Sequence, residues 1–164
     1  MFIKEYQKFI LTNFLKTLLQ VTLVFFFLSF VLNYFEEINF FKETSVSFIF
    51  PIILTLLNIP SILYEILPFI FLISTQYFFI KILEKNELDI FKVFGINNFK
   101  VIGFLSVISF ILGLFIMIIY YNFSAQLKNT YLELKNSYSN DNKYLAVITE
   151  NGIWIKDEIE DKIN

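Results

Sequence analysis

Residues 84–97 read EKNELDIFKVFGIN, a short charged stretch between two long apolar runs. Asn86 is a favourable residue for the N-cap of a helix, and Glu87 and Asp89 then fall in the first turn, where negative charge suits the helix dipole. Gly95 is placed as the C′ residue that terminates the helix. The stretch predicts a helix of about eight residues, which is too short to be stable alone in water and so needs something to hold it.

Sequence almost without charge lies on both sides of this stretch. The uncharged blocks cover residues 17–35, 44–64 with 66–80, and 101–127. Uncharged apolar runs of about 18 or more residues indicate transmembrane helices. The chain of 164 residues is 57% hydrophobic, with 23 Phe and a mean hydropathy of +0.65. We therefore expect an integral, multi-pass membrane protein.

The predicted spans lie at about 12–35, 62–83 and 99–121. The middle block is ambiguous because Pro51, Pro60 and Pro68 interrupt it. One interpretation is a short helix at about 47–58 in or near the outer leaflet, a break at the residues NIPS (58–61), and then the second span. The alternative is a tight two-span hairpin, which would move the Lys-rich segment to the opposite side.

The sequence changes period after the third span. Residues 122–164 begin as an emerging helix, and strands are predicted at 144–149 and 153–156 around an Asn-Gly turn, which is a hairpin signal. The predicted fold is therefore mainly α. A transmembrane region (1–121) contains a short cytoplasmic helix at 86–95, and 122–164 start an extracytoplasmic β domain.

Lysine placement predicts the orientation. Residues 1–16 carry three Lys and residues 81–100 carry four, whereas 33–50 carry Lys42 against three Glu. Because positive charge is retained in the cytoplasm, we expect the N-terminus and the short helix inside and the C-terminal tail outside. Lys81 and Lys85 at the inner end of the second span are predicted to be snorkelling anchors.

The composition excludes several kinds of chemistry. The chain has no Cys and no His, which removes thiol catalysis, disulfides and the usual zinc ligands. No cluster of carboxylates at membrane depth could serve as acid and base. We expect no catalytic residues, no metal, no cofactor and no nucleic-acid partner. No Walker A loop is present either, so any ATP-driven work needs a separate subunit.

Two interpretations of the short helix are open. It is either an amphipathic connector resting on lipid headgroups or a helix that docks in the groove of a cytoplasmic partner. A polar strip on span one, formed by Thr22, Ser29 and Asn33, likewise either lines a substrate cavity or bonds its own backbone. Glu65, inside the second apolar block, should lie near the outer boundary, where water can reach it.

Three motifs together resemble one family, the lipopolysaccharide-export permeases LptF/LptG (YjgP/YjgQ). The family's cytoplasmic loop reads approximately S-E-[LI]-x-[VI]-[ML]-x-x-x-G, and NELDIFKVFG is similar to it from Glu87 to Gly95. IPSILYEILP keeps Pro60 and Pro68 at the spacing of the family's V-P-x7-P pattern. NGIWIKD at 151–157 resembles the G-[LI]-W-x-[KR] strand that begins the family's periplasmic β domain.

The resemblance covers essentially the whole chain and implies a role. Family members pair as an LptF–LptG heterodimer in the bacterial inner membrane, two LptB ATPases dock on their cytoplasmic loops, and LptC attaches to them. ATP hydrolysis extracts lipopolysaccharide from the membrane and passes it to a periplasmic bridge of β-jellyroll domains. By analogy, 86–95 is the coupling helix: Glu87 contacts the ATPase, and Leu88, Phe91 and Phe94 fill its groove.

The chain differs from the family in two respects, and one alternative function is open. Family members are about twice as long, so the chain corresponds to their N-terminal part, and Trp154 leans it towards the LptG-like branch. Asn33 and Ser61 stand where some relatives carry basic residues that bind lipid phosphate. The alternative function is a non-transporting membrane scaffold whose extracytoplasmic tail binds another protein; a membrane enzyme is disfavoured.

Small residues on span three allow close helix approach. They share a face within about 120° and are Gly103, Ser106, Ser109 and Gly113. They either pack against other helices of this chain or meet the sister permease.

Overall fold

The computed structural model describes residues 5–42 and 46–138 in full, and the backbone of 146–149 and 152–155. The elements are α1 (Glu5–Phe40), α2 (Ile49–Glu65), α3 (Leu67–Glu84), α4 (Glu87–Val93), α5 (Asn98–Phe115), a π-helix (Ile116–Tyr120), α6 (Tyr121–Asn136), β1 (Ala146–Thr149) and β2 (Gly152–Ile155). Within the described residues, three helical stretches are long and apolar enough to cross a membrane: Glu5–Phe40, Leu67–Glu84 and Asn98–Asn136. The prediction of a mainly helical chain with three such helices is confirmed.

One face of helix α1 contacts other helices along the length of α1. Buried residues recur on this face at helical spacing, at Ile10, Phe14, Thr17 and Val21 and then at Ser29, Asn33 and Glu37. Three apolar clusters follow one another along it. The first, here called the inner cluster, joins α1 to α3 and α5 through Ile10, Phe14, Phe78, Ile82, Val101 and Leu105. Each cluster is small, so the outer faces of the helices remain apolar and exposed, as expected for a chain solvated by lipid.

The other two clusters lie further along α1. The middle cluster contains Val21 of α1, Ile59 and Leu63 of α2, and Ile70 of α3. The outer cluster contains Phe41, Leu54 of α2 and Tyr131 of α6. Helices α2 and α3 therefore follow α1 from its C-terminal end to its N-terminal end, as two halves of one kinked path. The alternative of a two-span hairpin is wrong, because a hairpin would bring the end of α3 back to the level of the outer cluster, whereas Phe78 and Ile82 of α3 lie in the inner cluster.

The break between α2 and α3 lies at Ile66, and the predicted break at 58–61 is wrong. Pro60 is inside α2, whereas Pro68 occupies the first turn of α3. In a first turn the missing proline N–H has no helical partner to lose, so a helix starts readily there. Ile66 bridges the two helices: its N–H donates to the Ile62 carbonyl at 3.1 Å and its carbonyl accepts from Ile70 at 3.1 Å.

The third apolar stretch continues well past the predicted end of span three. Asn98–Asn136 is helical over 39 residues, including the π-helix at Ile116–Tyr120. At about 1.5 Å per residue this is roughly 58 Å, twice the hydrocarbon thickness of about 30 Å. The polar second half, α6, therefore extends beyond the apolar part and packs along α2.

The two strands pair antiparallel, with Val147 opposite Trp154 and Ile148 opposite Ile153. They lie at the two strands predicted around the Asn-Gly turn, while the turn residues 150–151 are outside the described residues. The β domain that these strands would begin stays a prediction.

Candidate functional site

The short charged helix is present as α4, and its end has the predicted geometry. Gly95 has φ +73°, a left-handed conformation that L side chains rarely adopt. The Gly95 N–H donates to the Lys92 carbonyl and the Ile96 N–H donates to the Phe91 carbonyl, both at 2.9 Å. This pair of bonds is the Schellman motif, so termination of the helix at Gly95 is confirmed.

The start of α4 differs from the prediction. Asn86 occupies the N-cap position, but its φ is +53° and its side chain makes no capping hydrogen bond. The reason is the abrupt reversal from α3, which ends at Glu84, into α4, which begins at Glu87. A left-handed residue makes such a reversal, and Asn tolerates that conformation better than most residues.

The predicted coupling residues divide between two sides of α4. Leu88 and Phe91 are half-buried against the inner cluster, and the Phe91 ring meets the Phe9 ring edge-on with centroids 5.9 Å apart. Phe94, by contrast, is 76% exposed. Leu88 and Phe91 therefore anchor α4 on the inner cluster with part of each side chain, and their contact with a partner stays a prediction.

A second apolar face of α4 points away from the bundle, and of its three residues only Phe94 was predicted to meet a partner. Ile90, Val93 and Phe94, here called the α4 patch, are 53%, 85% and 76% exposed. Their spacing of three and four residues gives one helical face, which was the signal available to find them. Glu87 is half-buried, and Asp89 forms an exposed ion pair with Lys92 at 2.8 Å. Such an exposed pair contributes only about 0.3 kcal/mol.

The polar strip of span one lies against the rest of this chain. Thr22 donates to the Leu18 carbonyl at 2.8 Å and lines a cavity of about 150 Å³. Ser29 and Asn33 are buried, and the Asn33 side-chain oxygen has no hydrogen-bond partner among the described residues. A role of these three residues in holding substrate stays a prediction.

Glu37, one turn beyond Asn33, continues the strip and was missed as a site residue. It is 0% exposed, and its Oε1 accepts hydrogen bonds from Tyr131 Oη at 2.7 Å and from Lys135 Nζ at 2.9 Å. Both partners are on α6, in the part that extends past the apolar segment. Glu37 thereby ties the outer end of α1 to α6. Its spacing of four residues from Asn33 places both on one helical face, and this could be read from the sequence.

Tyr131 keeps its proton and acts as a donor in this tie. Burial, and secondly the hydrogen bond to Glu37, raise the pKa of Tyr131 above its ordinary value. Lys128, one turn before, donates to the Asn58 side chain of α2. Helix α6 is thus attached by polar contacts to both α1 and α2. Glu65 is exposed at the end of α2, and its position at a boundary that water can reach stays a prediction.

The small residues of α5 do not pack against other helices of this chain at the two glycines. Among the described residues, a Cβ placed on Gly103 or Gly113 would meet no atom within 4 Å outside the helix. Ser106 is exposed and donates to the Ile102 carbonyl at 3.0 Å, and Ser109 is half-buried. The two glycines therefore do not serve close helix packing among the described residues, and contact with a sister subunit stays a prediction.

Nothing in the described residues suggests a bound metal. Within 5–42 and 46–138, no group of three or more His, Cys, Asp or Glu is arranged to hold an ion.

Comparison with known proteins gives one match. The family model described as "Lipopolysaccharide export system permease LptF/LptG" matches residues 8–162, nearly the whole chain. No curated protein and no solved structure matches the chain.

Proposed function

This chain belongs to the LptF/LptG family of lipopolysaccharide export permeases, and we propose that it is the N-terminal, three-span part of a permease subunit in an ABC transporter driven by a separate ATPase. In this proposal α4 is the coupling helix. The subunit extracts lipopolysaccharide from the inner membrane and passes it to a periplasmic bridge, and it performs no catalysis itself. Trp154 favours the LptG-like branch.

The observation that carries the proposal is the two-sided packing of α4. Leu88 and Phe91 contact the inner cluster, and the α4 patch is open. Two exposed apolar residues of α4 and a third at its C-cap, with charged residues beside them, form a surface that a partner or a lipid interface has to cover. A partner that covers the patch would move α4, and Leu88 and Phe91 would transmit that movement to α1, α3 and α5.

Other parts of the proposal follow the family. A sister LptF/LptG permease, an LptC-like periplasmic protein and LptB-like ATPases are the proposed partners. The N-terminus and α4 are proposed to be cytoplasmic, and residues 122–164 to start a periplasmic β domain. The polar contacts of Glu37 and Lys128 would hold α6, which leads to that domain, in a fixed position above the spans.

The experiment is co-purification of the chain with its LptB-like ATPase. Glu87 is half-buried at the start of α4, and we expect Glu87→Lys to weaken the association at least about tenfold, because it puts the opposite charge where the proposal places a carboxylate against the ATPase. Glu5→Lys is the matched control, since it makes the same reversal at the exposed start of α1 and is expected to change nothing. Unchanged ATPase binding by Glu87→Lys would contradict the assignment of α4.

The lipid-interface alternative gives a different result in the same assay. If α4 only rests on headgroups, the wild-type chain does not retain the ATPase at all. The chain would then act as a scaffold whose extracytoplasmic tail binds another protein.

A further inference from the structure

A groove between α1 and α3 is polar at one end and apolar at the other. The polar end, here called the lysine cavity, has a volume of about 330 Å³, and its lining includes Lys16, Lys81 and Lys85. The apolar end, here called the apolar groove, has a volume of about 470 Å³, and Val24, Ile73 and Ile80 are among its lining residues. Tyr77 lines both, so the two adjoin at this residue.

We propose that this groove binds one anionic phospholipid. Its phosphate lies in the lysine cavity and one acyl chain lies in the apolar groove. The proposal does not depend on the ATPase; only its assignment to the cytoplasmic leaflet follows from the proposed orientation, in which the Lys-rich end of α1 and α3 is inside.

The lysine cavity has the charge of an anion site. None of its three lysines forms an ion pair in the part of the chain that the structure describes. Two carboxylates, Glu84 and Glu87, also line the cavity, at the end next to α4. With three lysines and two carboxylates, the charged side chains that line the cavity carry a net charge of +1. An anion placed between the lysines would relieve their mutual repulsion.

Lys81 is turned into the cavity, and this contradicts its predicted role as a snorkelling anchor. Its Nζ donates to the Gln20 side-chain oxygen of α1 at 2.7 Å and lies 4.2 Å from the centre of the Tyr77 ring. A snorkelling lysine would extend towards the aqueous boundary. Here the ammonium group is held at the junction between the polar and apolar ends, where a lipid phosphate would meet the start of its acyl chains.

The apolar groove decides between a lipid and a free phosphate ion. It continues the lysine cavity along both helices, from Gln20 to Phe25 on α1 and from Lys81 to Ile73 on α3. This distance is about 8–12 Å at the rise of an α-helix. An inorganic phosphate would leave this surface uncovered, whereas a phospholipid fills both ends. Basic pockets between transmembrane helices are known to take anionic headgroups in this way.

The test is lipid retention by the full chain in mild detergent, measured by native mass spectrometry. Phosphatidylglycerol and phosphatidylcholine with the same acyl chains are offered separately. We expect the chain to prefer phosphatidylglycerol at least tenfold, and K16Q/K81Q/K85Q to weaken its binding roughly a hundredfold. The matched control K8Q/K92Q/K100Q removes three lysines outside the cavity and should bind as the wild type does.

Each other outcome overturns part or all of the proposal. Equal loss in the two triple variants would show a general surface-charge effect, and equal retention of both lipids would exclude an anion site.

Val24→Trp fills the apolar groove and should weaken lipid retention about tenfold without changing the headgroup preference. Displacement of the lipid by millimolar inorganic phosphate, with no effect of Val24→Trp, would assign a free phosphate site. Helicity measured by circular dichroism confirms that each variant is folded. Because no ATPase is present, failure here leaves the coupling proposal unaffected.

Discussion

Phe94→Asp is expected to weaken binding of the LptB-like ATPase roughly a hundredfold, the range of an interface hot spot. Phe94 is the largest residue of the α4 patch and is 76% exposed, so the chain itself does not cover its ring. A groove that receives the ring would have to bury an aspartate in its place. The change should not unfold the chain, because Phe94 lies outside the inner cluster that holds α4.

Phe48→Asp is the matched control for this prediction. Phe48 is also 76% exposed and, like Phe94, lies shortly before an apolar helix. In its case the helix is α2, and Phe48 lies near the outer cluster. The same substitution therefore removes a similar area of exposed aromatic surface near the other end of α1. Binding measured with purified ATPase in nanodiscs should fall only for Phe94→Asp. Equal loss for both variants would indicate a general effect on the chain, and no loss for either would exclude the α4 patch as the docking surface.

Glu37→Gln is expected to destabilise the chain by about 3 kcal/mol, the lower end of the range for breaking a buried ion pair. The amide can still accept a hydrogen bond from Tyr131, but Lys135, whose side chain is only 23% exposed, loses its counter-charge. The neighbouring Glu36 is exposed, so Glu36→Gln should change stability by less than about 0.5 kcal/mol. Thermal unfolding in detergent measures both.

A double variant tests whether the loss of stability in Glu37→Gln comes from the unpaired charge of Lys135 or from any change at position 37. Glu37→Leu with Lys135→Met removes both charges, and a buried ion pair replaced by apolar residues of similar size is often neutral or stabilising. The double variant should therefore be more stable than Glu37→Gln. If it is less stable, the hydrogen bonds of Glu37, and not the pairing of its charge with Lys135, hold α6 in place.

Features that depend on residues close together in the sequence could be predicted from the sequence. The long apolar runs give three helices of membrane length, and Gly95 ends α4 because a left-handed residue is needed there. Features decided by distant packing were not. The sequence presents Pro60 and Pro68 as comparable breaks, but Ile59 and Leu63 on either side of Pro60 pack in the middle cluster with Val21 of α1. That packing keeps the helix continuous through Pro60, so the break lies at Ile66.

The inward face of α4 and the role of Glu37 are also set at long range. Leu88 and Phe94 are equally apolar in sequence, and only contact with the inner cluster decides that Leu88 is covered and Phe94 is not. Glu36 and Glu37 look alike as a pair of charges. Tyr131, 94 residues further along the chain, makes Glu37 the buried one.

Cysteine labelling at position 92 tests most directly the claim that α4 couples the spans to a cytoplasmic ATPase. The chain contains no Cys, so each introduced thiol is the only one. In intact spheroplasts, a membrane-impermeant maleimide should label Tyr138→Cys, at the end of α6, and should label Lys92→Cys only after the membrane is permeabilised. Labelling of Lys92→Cys in intact spheroplasts would place α4 on the outer side, out of reach of any ATPase, and would contradict the account.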